Sequence, residues 1–326
     1  MNAKLGIPVS EGKINLGEAV PLPAPFLIWM EPSRFCNIKC KFCPNPKMDN
    51  STKSFMPDKI FERILSDIKG LAATPKVVRF CGVGESLMHP KIVDMIKAVH
   101  DNKAAENILM YTNGTLLKPE LNRKIVDAGL TKIYISVNAL NDDDYFDITG
   151  VRINFENYVN NIRDLYENRK QLKIYVKINH LAVPTKEQQQ LFYDTFGDIS
   201  DNINIEGISH IFPEFYSFGE RRGMVRYHND ESKKYQICAT CFKTLNINCD
   251  GTVSPCTVDW AHKVIVGDIK EESLNDIWNG EKLRQLHKRF CLGTIGKDEA
   301  CYDCEDYFVS DHENIDAYAE EILRRL

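Results

Sequence analysis

Residues 36–43, Cys36-Asn37-Ile38-Lys39-Cys40-Lys41-Phe42-Cys43, place three thiols at C-x3-C-x2-C spacing shortly after the apolar run Phe26–Met30. A loop with this spacing can wrap its sulfurs around one small object, and soft thiolates suit iron–sulfur clusters or zinc. Three ligands rather than four is the informative part. A cubane carries four irons, so three protein thiolates leave one iron open to another molecule. A structural zinc site is ordinarily closed by a fourth Cys or His nearby, and none follows here. A zinc loop and unligated thiols are the alternatives.

Outward from this loop, apolar strand-like runs occur at Phe26–Met30, Val77–Cys81, Asn107–Tyr111, Lys132–Val137, Lys173–Asn179 and Ile203–Ile208. Between them lie helical patterns such as Ile60, Phe61, Ile64, Leu65 and Ile68, with apolar side chains on one face. Six strand–helix units with short links predict an α/β fold with a parallel sheet, closed or nearly so. In such folds the chemistry sits where strands end. Those ends are Cys81-Gly82-Val83-Gly84-Glu85-Ser86, Tyr111-Thr112-Asn113-Gly114-Thr115 and Ser136-Val137-Asn138. Alternation puts Ser136 and Asn138 on one face, taken as the interior, with Lys177 and Asn179 as weaker candidates of the same kind. His210 follows the sixth strand.

Hydrophobic content of 43% and charge of 27% are ordinary for a globular protein, and a net charge of −5 argues against a broad nucleic-acid footprint. Val20–Met30 contains three prolines and is too short to span a bilayer, so no membrane partner is expected. Eleven Cys with no export signal point to metal rather than disulfides, and to a cytoplasmic setting poor in oxygen.

The three-Cys spacing, with Phe42 before the last Cys, resembles the signature of the radical S-adenosylmethionine (SAM) enzymes. The resemblance implies a partial (β/α)6 TIM-like barrel. It also implies a 4Fe–4S cluster on Cys36, Cys40 and Cys43 whose open iron binds SAM and cleaves it to a 5′-deoxyadenosyl radical. Residues 81–86 look like the family's Gly-Gly-Glu-Pro segment, with Ser86 where Pro is usual, and residues 111–115 like its Thr-Asn-Gly turn. By that resemblance Gly82, Gly84, Glu85, Thr112, Asn113, Ser136, Asn138 and Lys177 surround SAM. A one-electron reductant such as flavodoxin or ferredoxin is implied as a partner.

Past residue 226 the pattern changes. Leu245–Cys256 reads as a hairpin about Asp250-Gly251, Leu274–Phe290 as one helix and Asn314–Leu326 as a terminal helix. The Asp-Gly-x-Val-x-Pro-Cys hairpin, Gly267-Asp268-Ile269, Leu274-x-x-Ile277-Trp278-Asn279 and Cys301-x-x-Cys304 resemble the twitch module, a shortened SPASM domain. The resemblance implies one auxiliary 4Fe–4S cluster on Cys238, Cys256, Cys301 and Cys304. Cys241, Cys249 and Cys291 are read as small buried hydrophobes that could substitute, and a zinc ribbon stays open. The expected organisation is an extension over 1–25, a barrel over 26–225, a small α+β module over 226–310 and a tail over 311–326.

The small relatives this architecture resembles oxidise an alcohol of an aminocyclitol or modify sugars. Arg222-Gly223 resembles the Asn-Arg-Gly-Gly segment of those enzymes, with Arg221 and Met224 in place of Asn and the second Gly. Arg222 is therefore the candidate for the substrate hydroxyl, and His210 the next. The expected function is oxidation or epimerisation of an alcohol carbon of a sugar, sugar nucleotide or aminocyclitol. A peptide maturase is the second reading, weakened by the lack of room for a leader-binding domain before the barrel. A non-catalytic metal-binding protein is the third.

Overall fold

A computed structural model of the chain describes residues 2–6, 14–207, 235–297, 299, 301–302, 304 and 314–326. Its centre is a run of six parallel strands: β2 (Leu27–Met30), β3 (Val77–Phe80), β4 (Asn107–Thr112), β5 (Lys132–Val137), β6 (Lys173–Asn179) and β7 (Asn202–Glu206). Strand β1 (Lys4–Leu5) lies parallel to β7 at one edge. Helices α2 (Asp58–Ile68), α3 (Ile92–Asp101), α4 (Pro119–Asp127), α5 (Asp142–Thr149), α6 (Phe155–Glu167) and α7 (Lys186–Phe196) connect successive strands. This is the partial (β/α)6 barrel expected.

Strand alternation separates two faces. Ile28, Met30, Val78, Phe80, Ile133 and Ile135 are fully buried against the helices. Their neighbours Trp29, Arg79, Tyr111, Tyr134 and Lys177 are only partly covered and face the concave side. The face opposite the helices is thus the polar and aromatic one, and it forms the lumen.

The C-terminal residues extend this sheet rather than stand apart from it. Strand β8 (Thr244–Ile247) pairs in parallel with β2, from Leu27↔Thr244 to Met30↔Ile247. Strands β9 (Thr252–Ser254) and β10 (Gly267–Asp268) follow antiparallel. The Asp250-Gly251 turn closes the hairpin, with Gly251 at φ +91°, a conformation glycine adopts without a Cβ penalty.

Several strand ends differ from expectation by one residue, and three boundaries differ by more. The helix expected over Leu274–Phe290 is two, α8 (Leu274–Trp278) and α9 (Glu281–Leu292). The break falls at Asn279-Gly280, where Gly280 is extended and begins α9. The terminal helix is shorter, α10 (Ala319–Arg325) after a 3-10 turn. The strand expected to reach Ile208 ends at Glu206, and Ile208 lies outside the described residues. The N-terminal extension is tied down by short helix α1 (Leu16–Ala19), where Asn15 and Tyr318 hydrogen-bond and Arg325 donates to the Gly17 carbonyl.

Candidate cluster and substrate site

The thiol loop is held at the rim of the barrel by its backbone. Lys39 and Lys41 donate their N–H groups to the Thr149 and Ile148 carbonyls at the end of α5, 2.8 and 3.0 Å. Cys36, Cys40 and Cys43 are all free thiols, Cys40 being buried. Burial pushes all three up, and the other thiols add to it at Cys40; Cys43 reaches about 11. Left alone they would be neutral, and a cationic cluster is what would hold them as thiolates. The Asn113 amide N–H points to the Cys36 sulfur at 4.0 Å, and Asn138 Oδ1 lies 3.5 Å from that of Cys40. Among the described residues no three Cys, His, Asp or Glu converge on a single ion. A cubane spreads its ligands wider than an ion does, and three largely sheltered thiols on one loop at the barrel rim suit it.

The glycine turn after β3 packs on the segment leading into this loop. A Cβ on Gly82 would overlap the Glu31 side chain, and one on Gly84 the Ser33 and Phe35 carbonyls. Expected to admit a ligand, these glycines are demanded by packing against residues 31–35. Glu85 N–H donates to the Phe35 carbonyl, 2.8 Å. The buried Glu85 carboxylate accepts from Leu87 N–H at 2.9 Å and Asn113 N–H at 2.7 Å. Burial raises its pKa while these donors lower it. Glu85 therefore braces one strand end against the next.

The other expected residues gather around that brace. Thr112 Oγ1 accepts from Gly114 N–H, and Asn113 Nδ2 donates to Asn37 Oδ1 at 2.9 Å. Asn138 Nδ2 donates to the Ser136 carbonyl and lies 3.4 Å from the Tyr145 hydroxyl. Lys177 is in register with Ser136 but pairs with Glu206 at 2.9 Å. Asn179 caps its own following turn by accepting from Leu181 N–H.

Of the C-terminal thiols, Cys238 and Cys304 are buried and Cys256 and Cys301 partly so. Burial pushes Cys301 up to about 12, with the nearby Cys238 adding to it. Cys241 joins them: burial raises it most, and Cys238, Cys301 and Cys256 contribute. Its thiol donates to the Cys238 carbonyl, 3.2 Å. Cys291 sits on α9 and Cys249 against β2, so neither stands in this group. Arg222 and His210 lie outside the described residues.

Residues 30–191 match the radical SAM superfamily and residues 238–305 the iron–sulfur cluster-binding SPASM domain. The chain belongs to the radical SAM superfamily. Its cofactors are SAM with a 4Fe–4S cluster, and an auxiliary iron–sulfur cluster in the SPASM-type module. The chain is 20% identical to the SAM-dependent 2-deoxy-scyllo-inosamine dehydrogenase of Niallia circulans, over 89% of this chain and 96% of that one. It is 22% identical to the AdoMet-dependent heme synthase of Methanosarcina barkeri, over 81% and 85%. Among solved structures, BtrN in complex with AdoMet and 2-DOIA superposes with a TM-score of 0.59 at 18% identity, over 89% and 97% of the chains. Streptococcus suis SuiB gives 0.64 at 18%, over 89% and 77%. At these identities the structural likeness is one of fold.

Two groups in this radical SAM chain escaped the sequence reading. The first is a buried node at the end of β2. Glu31 accepts from Val83 N–H at 3.0 Å and Cys249 N–H at 3.3 Å, and the Cys249 thiol donates to the Glu31 carbonyl at 3.0 Å. Arg34 lies 3.7 Å from Glu31 and donates to the Trp260 carbonyl at 2.9 Å, while His262 Nε2 lies 3.8 Å from Glu31. Barrel, glycine turn and C-terminal module meet here. The second is a row of rings across the lumen. Tyr111, Tyr134 and Tyr175 are in register on β4, β5 and β6, with centroids 4.5 and 4.7 Å apart and nearly parallel planes. Trp29 stacks beyond Tyr111 at 6.1 Å. The signal was available: all four occupy the lumen-facing parity of their strands.

Proposed function

We propose that this radical SAM enzyme oxidises or epimerises an alcohol carbon of a sugar-like ring. The observation that carries the reading is the in-register row Tyr111, Tyr134 and Tyr175 lining the lumen below the thiol loop, with Trp29 stacked on Tyr111 from the next row. Stacked on one another, these rings form a rigid wall whose edges border the lumen, a surface that suits the carbon skeleton of a saturated ring. The near end-to-end match with the aminocyclitol dehydrogenase, 96% of whose length is covered, supports the same reading. SuiB, bound in one structure to a precursor peptide, is covered over only about three-quarters of its length, 77%.

With the cluster and SAM bound, the site supplies a radical that abstracts hydrogen from a substrate C–H. The chain's own part is positional. Glu85 holds the strand ends that carry Asn113, and Asn138 lies against Cys40, so polar groups of the barrel and the cluster loop are fixed relative to one another. Cys238, Cys256, Cys301 and Cys304 would hold the auxiliary cluster, which would supply an outlet for one electron in an oxidation. Arg222, almost always protonated, is assigned to hydrogen-bonding the substrate oxygen rather than to accepting its proton, with His210 as the alternative group.

The test is deoxyadenosine formation by the reconstituted enzyme with candidate sugars, cyclitols and peptides, and product identification by mass spectrometry. Substrate-stimulated deoxyadenosine with a ring two mass units lighter supports oxidation, and deuterium uptake from solvent without mass loss supports epimerisation. Stimulation by peptides alone overturns the reading. In the same assay Arg222→Lys is expected to keep unproductive SAM cleavage and lose product formation.

A further inference from the structure

The lumen floor carries more positive charge than the described residues answer. The Arg79 guanidinium lies 4.3 Å from the Trp29 ring centroid and 5.5 Å from that of Tyr111. Its Nε is buried without a hydrogen-bond partner, and among the described residues no carboxylate pairs with the side chain. Lys132, on the same face of β5, has its ammonium pushed down in pKa by burial and then by Arg79, and it too has no carboxylate partner among the described residues. Lys177 completes the group, 5.1 Å from the Tyr111 centroid and paired with Glu206. A guanidinium partly withdrawn from water, with a buried unpartnered Nε and no carboxylate among the described residues, is costly unless something else answers its charge.

We propose that Arg79, with Lys132 and Lys177 behind it, is a subsite for a phosphoryl group of the substrate. The inference rests on the ring-substrate reading above and narrows it to a sugar phosphate or nucleotide-linked sugar. Three points of chemistry favour this. Arg presents a planar fork that matches phosphate bidentately. Two cations without carboxylates call for a ligand with more than one negative charge. An aminocyclitol would bring an ammonium to a site already positive, and like charges in a sheltered lumen repel more strongly than in water.

The position fits as well. Tyr111 stands two residues before Asn113 on β4, a rise of about 7 Å along the strand. Asn113 in turn reaches the Cys36 sulfur. A substrate anchored at the floor by its phosphoryl group would lie along the edges of the stacked Tyr111 and Tyr134 rings and present the far carbons toward the thiol loop.

The experiment is equilibrium binding to cluster-reconstituted protein with SAM present. The probes are pyrophosphate, glucose 1-phosphate, UDP-glucose, glucose and 2-deoxystreptamine as the aminocyclitol. Wild type should bind the phosphorylated probes, more weakly as salt rises, and prefer them to glucose and the aminocyclitol. Arg79→Met should weaken phosphorylated probes roughly ten- to a hundredfold, and Lys132→Met, at a half-covered position, should weaken them less. The glucose 1-phosphate and UDP-glucose arms separate a plain sugar phosphate from a nucleotide-linked one. Preference for the aminocyclitol would overturn the phosphoryl subsite while leaving the ring-substrate reading standing. So would phosphorylated probes that fail to bind, or that bind both variants like wild type. Should Arg79→Met not hold its clusters, Lys132→Met and the salt dependence decide.

Discussion

The two thiol groups of this chain are built in opposite ways. Cys36, Cys40 and Cys43 come from one loop, whose backbone leans on the end of α5. Cys238, Cys241, Cys256, Cys301 and Cys304 are gathered from three separate segments: a 3-10 turn, the residue after the Pro that follows β9, and the stretch beyond α9. The first group exists wherever its loop exists. The second exists only once β8, β9 and α9 have packed. A local site tolerates change around it, whereas an assembled one reports on the fold that assembles it.

The comparison breaks first at the local loop. Replacing Cys36, Cys40 and Cys43 by Ala should abolish SAM cleavage outright and lower iron from about eight to about four per chain, measured by deoxyadenosine and iron assay after anaerobic reconstitution. Retained SAM cleavage would remove the loop from the chemistry.

The assembled group yields a smaller, selective loss. Cys304→Ser should lower iron and end substrate turnover while unproductive SAM cleavage continues. Cys241→Ser sharpens the point, because Cys241 stands among the thiols that the resemblance assigns to the auxiliary cluster without being one of them. Its thiol already donates to the Cys238 carbonyl, so the variant should keep about eight irons. A fall to about four would make Cys241 a ligand and one of the other four the spare.

Glu85 comes next, joining the rim to the barrel. Its carboxylate accepts two backbone N–H groups, and hydrogen bonds to a charged group contribute about 1.5–3 kcal/mol each. Glu85→Ala should weaken SAM binding roughly tenfold or more with iron retained, as read by equilibrium dialysis. Unchanged SAM affinity would leave Glu85 a brace alone.

The barrel and its strand ends were legible because period-two alternation and the turn residues Gly82, Gly84 and Asn113 are local signals. Alternation assigned Ser136 and Asn138 to the interior, and the same rule applied to Trp29, Arg79, Tyr111, Tyr134 and Tyr175 would have found the ring row. What no local pattern contained was pairing across the chain. That β8 adds to β2, and that Cys249 answers Glu31 rather than the other thiols, depends on contacts more than two hundred residues apart, |i−j| = 218 for Glu31 and Cys249. Gly280 was readable as a helix break, yet the apolar spacing on both sides masked it.

The smallest effect tests the node where the two regions meet. His262 is pushed from 6.5 down to about 4 by burial and then by Arg34, with Asp250 pulling the other way; Glu31 is the remaining charged group beside it. A depressed histidine is neutral in the fold and takes up its proton more readily once unfolded. Its contribution is therefore complete above about pH 6.5 and is lost as pH falls from there toward 4. By pH 5.5 that loss is about 1 kcal/mol, or roughly 2 °C of melting temperature for a chain of this size. Glu31, whose carboxyl burial raises, works in the opposite sense. The measurement is thus the difference between wild type and His262→Gln, melted at pH 7 and pH 5.5 with both clusters in place. His262→Gln should lose about 1 kcal/mol less than wild type over that interval. Equal losses would show that His262 takes up its proton within the fold, and that the junction of barrel and module accommodates the charge.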